Sequence, residues 1–191
     1  MKVLRYAPIL LVLLAGPAWA HPGHGEVSSF TAGLMHPWTG ADHLLAMLAV
    51  GLWASLAGGT ARWAVPVAFV TAMLTGFGLA VAGVHLPLVE PTILASVIAL
   101  GALVALTVRL PWAAGATLVA LFGLCHGHAH GAESPESGLA LYALGFTLST
   151  AAIHVLGLAL GRILTGGTGA KLTRVIGAAT AAAGVALGLA G

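Results

Sequence analysis

The stretch 36-HPWTGADH-43 leads directly into the apolar run 44-LLAMLAVGLWA-54, and this contrast decides how the chain folds. Two imidazoles and one carboxylate stand at the edge of a segment that has the composition of a membrane-embedded helix. Ionisable side chains are costly at membrane depth, and they usually mark the route of a substrate or an ion. Imidazole and carboxylate groups also bind first-row divalent metals. The stretch therefore indicates a metal site in a membrane protein.

The composition of the whole chain supports a membrane class. Charged residues make up 6% and hydrophobic residues 59% of the 191 residues, whereas about 25% of a soluble domain is charged. The seven Lys and Arg residues form no run interleaved with aromatics, so nucleic acid is not an expected partner. His-Glu-x-x-His, Gly-x-Ser-x-Gly and phosphate-loop motifs are absent from the sequence, so no enzyme is expected.

The first twenty residues have the pattern of a secretory signal. Lys2 and Arg5 precede a short apolar core, and Ala18-Trp19-Ala20 forms an A-x-A cleavage site. We expect residues 1–20 to be a cleaved signal peptide, with an uncleaved first helix as the alternative. Residues 21–191 would then form one domain whose amino terminus lies outside the cytoplasm.

Six apolar segments follow, and each is suited to crossing a bilayer. The predicted fold is therefore an all-α membrane protein, a bundle of six transmembrane helices after the signal peptide. Abundant glycine is expected where helices pack closely in lipid. The segments run from Phe30 or Gly40 to Leu56, from Arg62 to Gly83, from Leu88 to Val108, from Trp112 to Leu124, from Leu139 to Gly161 and from Arg174 to Leu189.

The charges agree with this topology, although they were not used to define the spans. With the mature amino terminus outside, every Lys and Arg after the signal falls at one side, as the positive-inside rule requires. The carboxylates fall at the other side. The expected location is the inner (cytoplasmic) membrane, as a multi-pass protein with its mature amino terminus on the periplasmic side.

Within the opening stretch, His36, Asp42 and His43 are the candidate metal ligands. Pro37 is expected to break the helix and to let His36 fold back over the helix start. A capping box with Thr39 as N-cap is the alternative role for Asp42. Met47 lies four residues after His43 and shares its helix face, either as a weaker ligand or as packing.

A second candidate site is the segment 125-CHGHAHGAE-133, predicted to be an outer loop after a short fourth span. Its histidines alternate with small residues, which is a metal-binding composition, and a polar cap at the membrane interface is the alternative. His126 and His130 are the stronger candidates, with His128 and Glu133 weaker. His21 and His24 at the mature amino terminus are a weak candidate for metal capture.

Two further ionisable residues lie on other predicted spans. Glu90 stands at the start of the third span, where the helix dipole offers a capping role as an alternative. His154 lies about 15 residues into the fifth span, or roughly 22 Å at 1.5 Å per residue. Either His154 completes a metal route, or a neighbouring hydroxyl satisfies it within the core.

Four segments resemble the HupE/UreJ family: 36-HPxxGxDH-43 with the residues that follow it, 90-ExxIxxSV-97, 122-FGxxHGxAHGxE-133, and 145-GF-146 with 154-HxxG-157. The resemblance implies a secondary nickel permease, with cobalt as another cargo, that serves hydrogenase or urease maturation. It implies that the metal ion is the transported substrate and that there is no prosthetic group.

The predicted function is therefore uptake of Ni²⁺ or Co²⁺ without ATP, with a non-transporting metal-binding receptor or accessory protein as the alternative. The expected partners are a divalent metal ion and the lipid bilayer, and a homo-oligomer is left open. The expected ligands are His36, Asp42, His43, Glu90, His126, His130 and His154, with His21, His24, Met47, His128 and Glu133 as weaker candidates.

Overall fold

The structure is a computed structural model that describes residues 29–164 and 166–190, and all regular structure in these residues is helical. The predicted all-α class is therefore confirmed for this part of the chain. The predicted signal peptide, together with His21 and His24, lies outside the described residues. The helices are α1 (Ser29–Thr39), α2 (Ala41–Ala57), α3 (Ala61–Val81), α4 (Val89–Ala105), α5 (Trp112–Ala132), α6 (Leu139–Ile163) and α7 (Gly167–Ala190).

The distribution of side chains is that of a membrane protein. Large apolar residues such as Trp63, Val67 and Leu121 face outward and are about 60% exposed. Polar residues such as Ser96, His126 and Thr150 are fully buried. This arrangement places apolar surface against lipid and satisfies polar groups inside the bundle.

Fewer helices than predicted are long and apolar enough to cross a membrane. In the described residues α3, α6 and α7 meet both conditions, and α1 with α2 would add a fourth as one broken span or a re-entrant pair. Helix α4 has 17 residues, about 25 Å against a hydrocarbon core of about 30 Å. Helix α5 ends in a histidine-rich segment, which lowers its hydropathy. The number of six spans stays a prediction.

The break in the first predicted span lies at Gly40, and the expected break at Pro37 is wrong. Helices α1 and α2 meet at 81°, and Gly40 between them has extended backbone with ψ of 116°. Pro37 lies inside the last turn of α1, where its missing N–H removes a single hydrogen bond. The extended backbone at Gly40 interrupts the helical ladder completely.

The predicted capping box is also not formed. Gly40 is the N-cap of α2 and makes no side-chain cap, while the Thr39 hydroxyl donates to the His36 carbonyl at 2.8 Å. Asp42 does accept the backbone N–H of His43 at 2.8 Å. It therefore satisfies one donor of the first turn, where the positive end of the helix dipole favours a carboxylate.

Helices α3 and α5 pack closely against each other along their length. This packing explains why residues 125–132, in the segment predicted to be a loop, are helical. Gly123, Gly127 and Gly131 on α5 face the backbone of Phe69, Met73 and Phe77 on α3. These successive contacts show that the two helices run parallel. Glycine lets the backbones approach closely, so α5 continues through its histidines to Ala132 instead of ending near Leu124.

The remaining packing defines two ends of the bundle. Helices α2 and α6 are parallel, since Gly51 contacts His154 and Gly161 contacts Ser55. Helix α7 packs antiparallel to α4. The amino ends of α2, α4 and α6 therefore meet the carboxyl ends of α3 and α5 at what we term the histidine end. The opposite end carries Arg62, Arg109 and Arg162 and is termed the arginine end.

Candidate metal site

Four imidazoles from three helices pack together at the histidine end. His43 on α2 lies with its ring centroid 4.7 Å from His126 and 4.8 Å from His130, both on α5. His36 on α1 lies 4.8 Å from His130 and 6.5 Å from His43. We term these residues the histidine cluster. The bend at Gly40 makes it possible, because it brings His36 back over the start of α2.

The cluster lies beside a cleft of about 200 Å³ that carries carboxylates. His36 Nε2 lies 3.1 Å from Glu133 Oε2. This hydrogen bond from His36 lowers the pKa of Glu133 below its ordinary value, so the carboxylate stays ionised. Glu90 lines the same cleft from the first turn of α4. The site is thus negatively charged toward solvent and imidazole-rich inside. The lining residues are His36, Thr39, Gly40, Asp42, His43, Glu90 and Glu133.

The Asp42 carboxylate orients the His43 ring. Asp42 Oδ1 lies 3.0 Å from His43 Nδ1. An ionised carboxylate only accepts hydrogen bonds, so a neutral His43 carries its proton on Nδ1 and has its lone pair on Nε2. That Nε2 atom is buried and has no hydrogen-bond partner in the described structure. Carboxylate–imidazole pairs of this kind hold metal-binding histidines in position.

Ser96 on α4 orients the second imidazole, His126. The Ser96 hydroxyl donates its single hydrogen to the Ile93 carbonyl at 2.6 Å, and its oxygen lies 2.9 Å from His126 Nε2. His126 Nε2 must therefore donate to Ser96, which leaves the lone pair on Nδ1. Nδ1 is buried and unpartnered among the described residues. Both His43 and His126 thus hold a free lone pair in the protonation state that binds metal.

Two further imidazoles are buried without any hydrogen-bond partner in residues 29–164 and 166–190. Both ring nitrogens of His130 are unpartnered, and so are both of His154. His130 stacks on Phe146 with a centroid distance of 5.0 Å. Of the two alternatives for His154, the one in which a neighbouring hydroxyl satisfies it is not formed among the described residues. Buried polar groups without a protein partner are costly, and a bound ion is one way to satisfy them.

His154 lies apart from the cluster, and Phe69 connects the two. The Phe69 ring on α3 is 5.4 Å from the His126 centroid and 5.1 Å from the His154 centroid. Phe69 is fully buried. It therefore separates the cluster from the deeper imidazole, a role that its apolar character did not reveal in the sequence.

Two of the weaker candidates are directed elsewhere. His128 Nε2 donates to the Val84 carbonyl at 2.8 Å, on a different face of α5 from His126 and His130. Met47 is buried, and its sulfur accepts the Thr150 hydroxyl at 3.4 Å. The same hydroxyl lies 3.7 Å from the sulfur of Met73, a second buried thioether that the sequence had not indicated.

The candidate donor atoms lie close together but do not point at one common metal position. Within residues 29–164 and 166–190, no three His, Cys, Asp or Glu side chains are already arranged around one metal position. The rings of the cluster meet mostly edge to face, so an ion would have to draw their nitrogens together. Their chemistry suits the task, because neutral imidazole with outer carboxylates is a preferred donor set for nickel, cobalt or zinc.

Comparison with known proteins identifies the family. The family model described as HupE / UreJ protein matches residues 9–187. The chain is 45% identical over 188 residues to "Protein HupE" of Rhizobium leguminosarum bv. viciae, covering 96% of this chain and 98% of that protein. No solved structure matches. The chain is therefore a member of the HupE/UreJ family, a family of membrane transport and accessory proteins and not of enzymes.

Proposed function

We propose that this protein is a secondary permease that takes up Ni²⁺, with Co²⁺ as a second cargo, across the cytoplasmic membrane for metalloenzyme maturation. The observation that carries the proposal is the histidine cluster beside its acidic cleft. A metal ion entering the cleft meets the exposed Glu90 and Glu133 first. It then meets imidazoles whose free lone pairs are set by Asp42 and Ser96.

The deeper half of the route follows from the residues beyond the cluster. His154 is only 2% exposed and has two unpartnered nitrogens, so it can receive an ion that passes Phe69. Met47 and Met73 add thioether sulfurs in the same core. Because Phe69 contacts both imidazoles, a change in its rotamer would connect or close the two halves of the route.

The orientation of the protein sets the direction of transport. Arg62, Arg109 and Arg162 gather at one end of the bundle, and the positive-inside rule places that end in the cytoplasm. The histidine cluster then faces the periplasm. We take α1 with α2 as one broken span and α3 to α7 as five more, so that the chain crosses six times.

The two parallel pairs support a transporter with inverted repeats. If α2–α4 and α5–α7 are inverted copies, α3 with α5 corresponds to α6 with α2. Both pairs are parallel, and in each pair glycines of one helix contact the backbone of the other. Helices α4 and α7 would correspond to each other, and they pack as a pair. Inverted repeats allow a central site to open alternately to either side.

The membrane potential supplies a sufficient driving force. Two positive charges moving inward gain about 4.6 kcal/mol per 100 mV, since each charge gains about 2.3 kcal/mol. This free energy corresponds to a concentration ratio of roughly 2,000. A scarce divalent metal therefore needs no second energy source.

Nickel uptake into proteoliposomes tests the proposal. Purified protein is reconstituted, an inside-negative potential is imposed, and radioactive nickel is followed for the native protein and for His43→Ala. We expect potential-dependent accumulation by the native protein and its loss in the variant. Cobalt, zinc and manganese added as competitors report the preferred cargo. Nickel binding without accumulation would exclude a permease.

That last outcome would favour a second candidate, a membrane accessory protein that holds nickel and passes it to a partner. The observation in its favour is the closed core between the two ends, where Phe69, Met47 and Met73 are fully buried. The accessory function requires the histidine cluster but not His154. Binding that tolerates His154→Ala, together with absent uptake, would support it.

A further inference from the structure

A second pocket lies at the arginine end, at the opposite side of the bundle from the histidine cluster. Its volume is about 350 Å³. It is formed where the carboxyl ends of α2, α4 and α6 meet the amino ends of α3 and α7. We term it the arginine pocket. It is lined by Ser55, Leu56, Arg62, Thr107, Arg109, Gly161, Arg162, Leu164, Gly166, Ala170 and Thr173.

The three guanidinium groups of this pocket have no carboxylate partner. Every Asp and Glu of the described residues lies at the histidine end, on α2, at the start of α4 or in the segment after α5. The ion pairs in the described structure involve only histidines with those acids. Arg62, Arg109 and Arg162 therefore line one pocket with no carboxylate among the described residues to offset their positive charge. A cleft lined by one sign of charge raises the local concentration of counter-ions.

The geometry around Arg62 also indicates a missing partner. Its Nε atom is buried and has no hydrogen-bond partner among the described residues. A guanidinium keeps all five donors at any physiological pH. A buried donor that is left unpaired carries a desolvation cost.

The backbone of the pocket favours an anion as well. Gly166 and Ala170 bring the amino end of α7 to its wall, and free N–H groups with the positive helix dipole attract negative charge there. Thr107, a β-branched residue, holds φ of +52°, a strained conformation that persists mainly at functional positions. Thr107 lines the pocket, and its hydroxyl accepts a hydrogen bond from Arg174 at 3.5 Å.

The topology of the chain does not by itself explain this arrangement. The positive-inside rule requires cations at one side of the membrane but not their convergence on one cavity. Lys171 satisfies the same rule without lining the pocket, and Arg174 donates a hydrogen bond to the lining residue Thr107. The presence of three arginines, an unpaired buried donor and a helix amino end around one pocket is a more specific feature.

We propose that the arginine pocket binds a phosphate group, presented either by an anionic lipid headgroup or by free inorganic phosphate. Arginine pairs with phosphate through two parallel hydrogen bonds, which makes it the preferred residue for such sites. In a membrane protein, basic pockets between helices at the cytoplasmic side commonly hold lipid headgroups. A bound phosphate would also join α2, α3, α4 and α6 at this end of the bundle.

Binding to the purified full chain tests this proposal, with charge-matched variants. Native mass spectrometry measures retention of phosphatidylglycerol against phosphatidylcholine, and calorimetry measures inorganic phosphate. The pocket variant is Arg62→Gln, and the control is Lys171→Gln, which removes the same single charge from a residue that does not line the pocket. We expect the pocket variant to lose at least tenfold in affinity for phosphatidylglycerol and the control less than twofold.

The same measurements identify the source of the phosphate. Displacement of the lipid by millimolar inorganic phosphate would assign the site to free phosphate, and retention of the lipid would assign it to the headgroup. Equal losses in the two variants would show that only general surface charge acts, and absence of binding by either probe would also overturn the proposal. Nickel binding at the histidine end should be unchanged in both variants, which shows that they fold.

Discussion

The imidazole of His36 lies 3.1 Å from the carboxylate of Glu133, and this contact joins the helix that precedes the bend to the end of α5. Both side chains line the cleft beside the histidine cluster. Without the bend at Gly40, α1 would continue the axis of α2 and His36 would point away from α5. The bend in the first span therefore decides that His36 belongs to the metal site.

Removing the charge of Glu133 should weaken metal binding moderately. Glu133→Gln leaves a poorer acceptor for His36 and removes one carboxylate from the cleft. Because the Glu133 side chain is 61% exposed, the effect should be about 1 kcal/mol, or roughly fivefold in nickel affinity by calorimetry. Glu136→Gln in the same exposed segment is the control and should have no effect. Equal losses in the two variants would contradict a specific role.

The pH dependence of nickel binding should arise from imidazole and not from Glu133. The hydrogen bond from His36 lowers the pKa of Glu133. The ionised Glu133 carboxylate therefore contributes fully to nickel binding above the ordinary glutamate pKa of about 4.3. This contribution is lost only as pH falls through the lowered pKa of Glu133. Proton competition at the histidines should weaken nickel binding as pH falls from 8 to 5. Native protein and Glu133→Gln should therefore give parallel profiles across this range, and a flattened profile in the variant would refute the assignment.

Asp42 should act through His43. Losing a residue that orients a metal-binding histidine typically costs 10- to 100-fold in affinity, and we expect Asp42→Ala to fall in that range. His43→Ala should cost at least as much. The double variant should lose no more than His43→Ala alone, since the carboxylate then has no ring to orient. Additive losses in nickel affinity would show instead that Asp42 is a separate ligand.

Ser96 should hold the protonation state of His126. Ser96→Ala removes the acceptor of the Nε2 hydrogen, so the ring loses its preference for an Nε2 proton and a free Nδ1. We expect nickel affinity to fall about tenfold and the nitrogen NMR shifts of His126 to move toward a mixture of tautomers. Thr92→Ala on the exposed side of α4 is the matched control. Unchanged shifts in Ser96→Ala would disprove the positioning role.

The glycines of the α3–α5 contact should be essential for stability. A methyl group at Gly127 would collide with the carbonyl oxygen of Met73, and backbone cannot move aside cheaply, so Gly127→Ala should destabilise the protein by about 1–3 kcal/mol. Gly78→Ala on α3 meets open space and should be neutral or stabilising by up to about 1 kcal/mol. Thermal unfolding in detergent measures both variants, and similar melting temperatures would contradict this account of the pair.

The histidine-rich segment shows why part of the site was not predictable. Its alternation of glycine and histidine resembles a loop, because glycine weakens an isolated helix. Against α3, however, Gly123, Gly127 and Gly131 allow a contact that larger residues would forbid. A helical path then separates His126 and His130 from His128, which turns to the Val84 carbonyl. Only the partner helix determines this outcome.

The break in the first span has a similar explanation. Proline is the usual local indicator of a helix end, yet Pro37 is accommodated within α1, and the chain bends three residues later at Gly40. A side chain at Gly40 would crowd Asp42 Oδ1 and His43 Nδ1. Glycine at position 40 therefore leaves room for the Asp42–His43 pair at the start of α2.

The sequence by itself determined the helical membrane class, the family and the candidate ligands of the opening motif, because hydropathy and short motifs are local properties of the chain. Tertiary structure alone decided which imidazoles meet, which nitrogen of each remains free, and that Ser96 and Phe69 belong to the site. These features depend on contacts between helices distant in sequence. Their energies come from close approach of backbones and from shared hydrogen bonds, and neither is encoded within one segment.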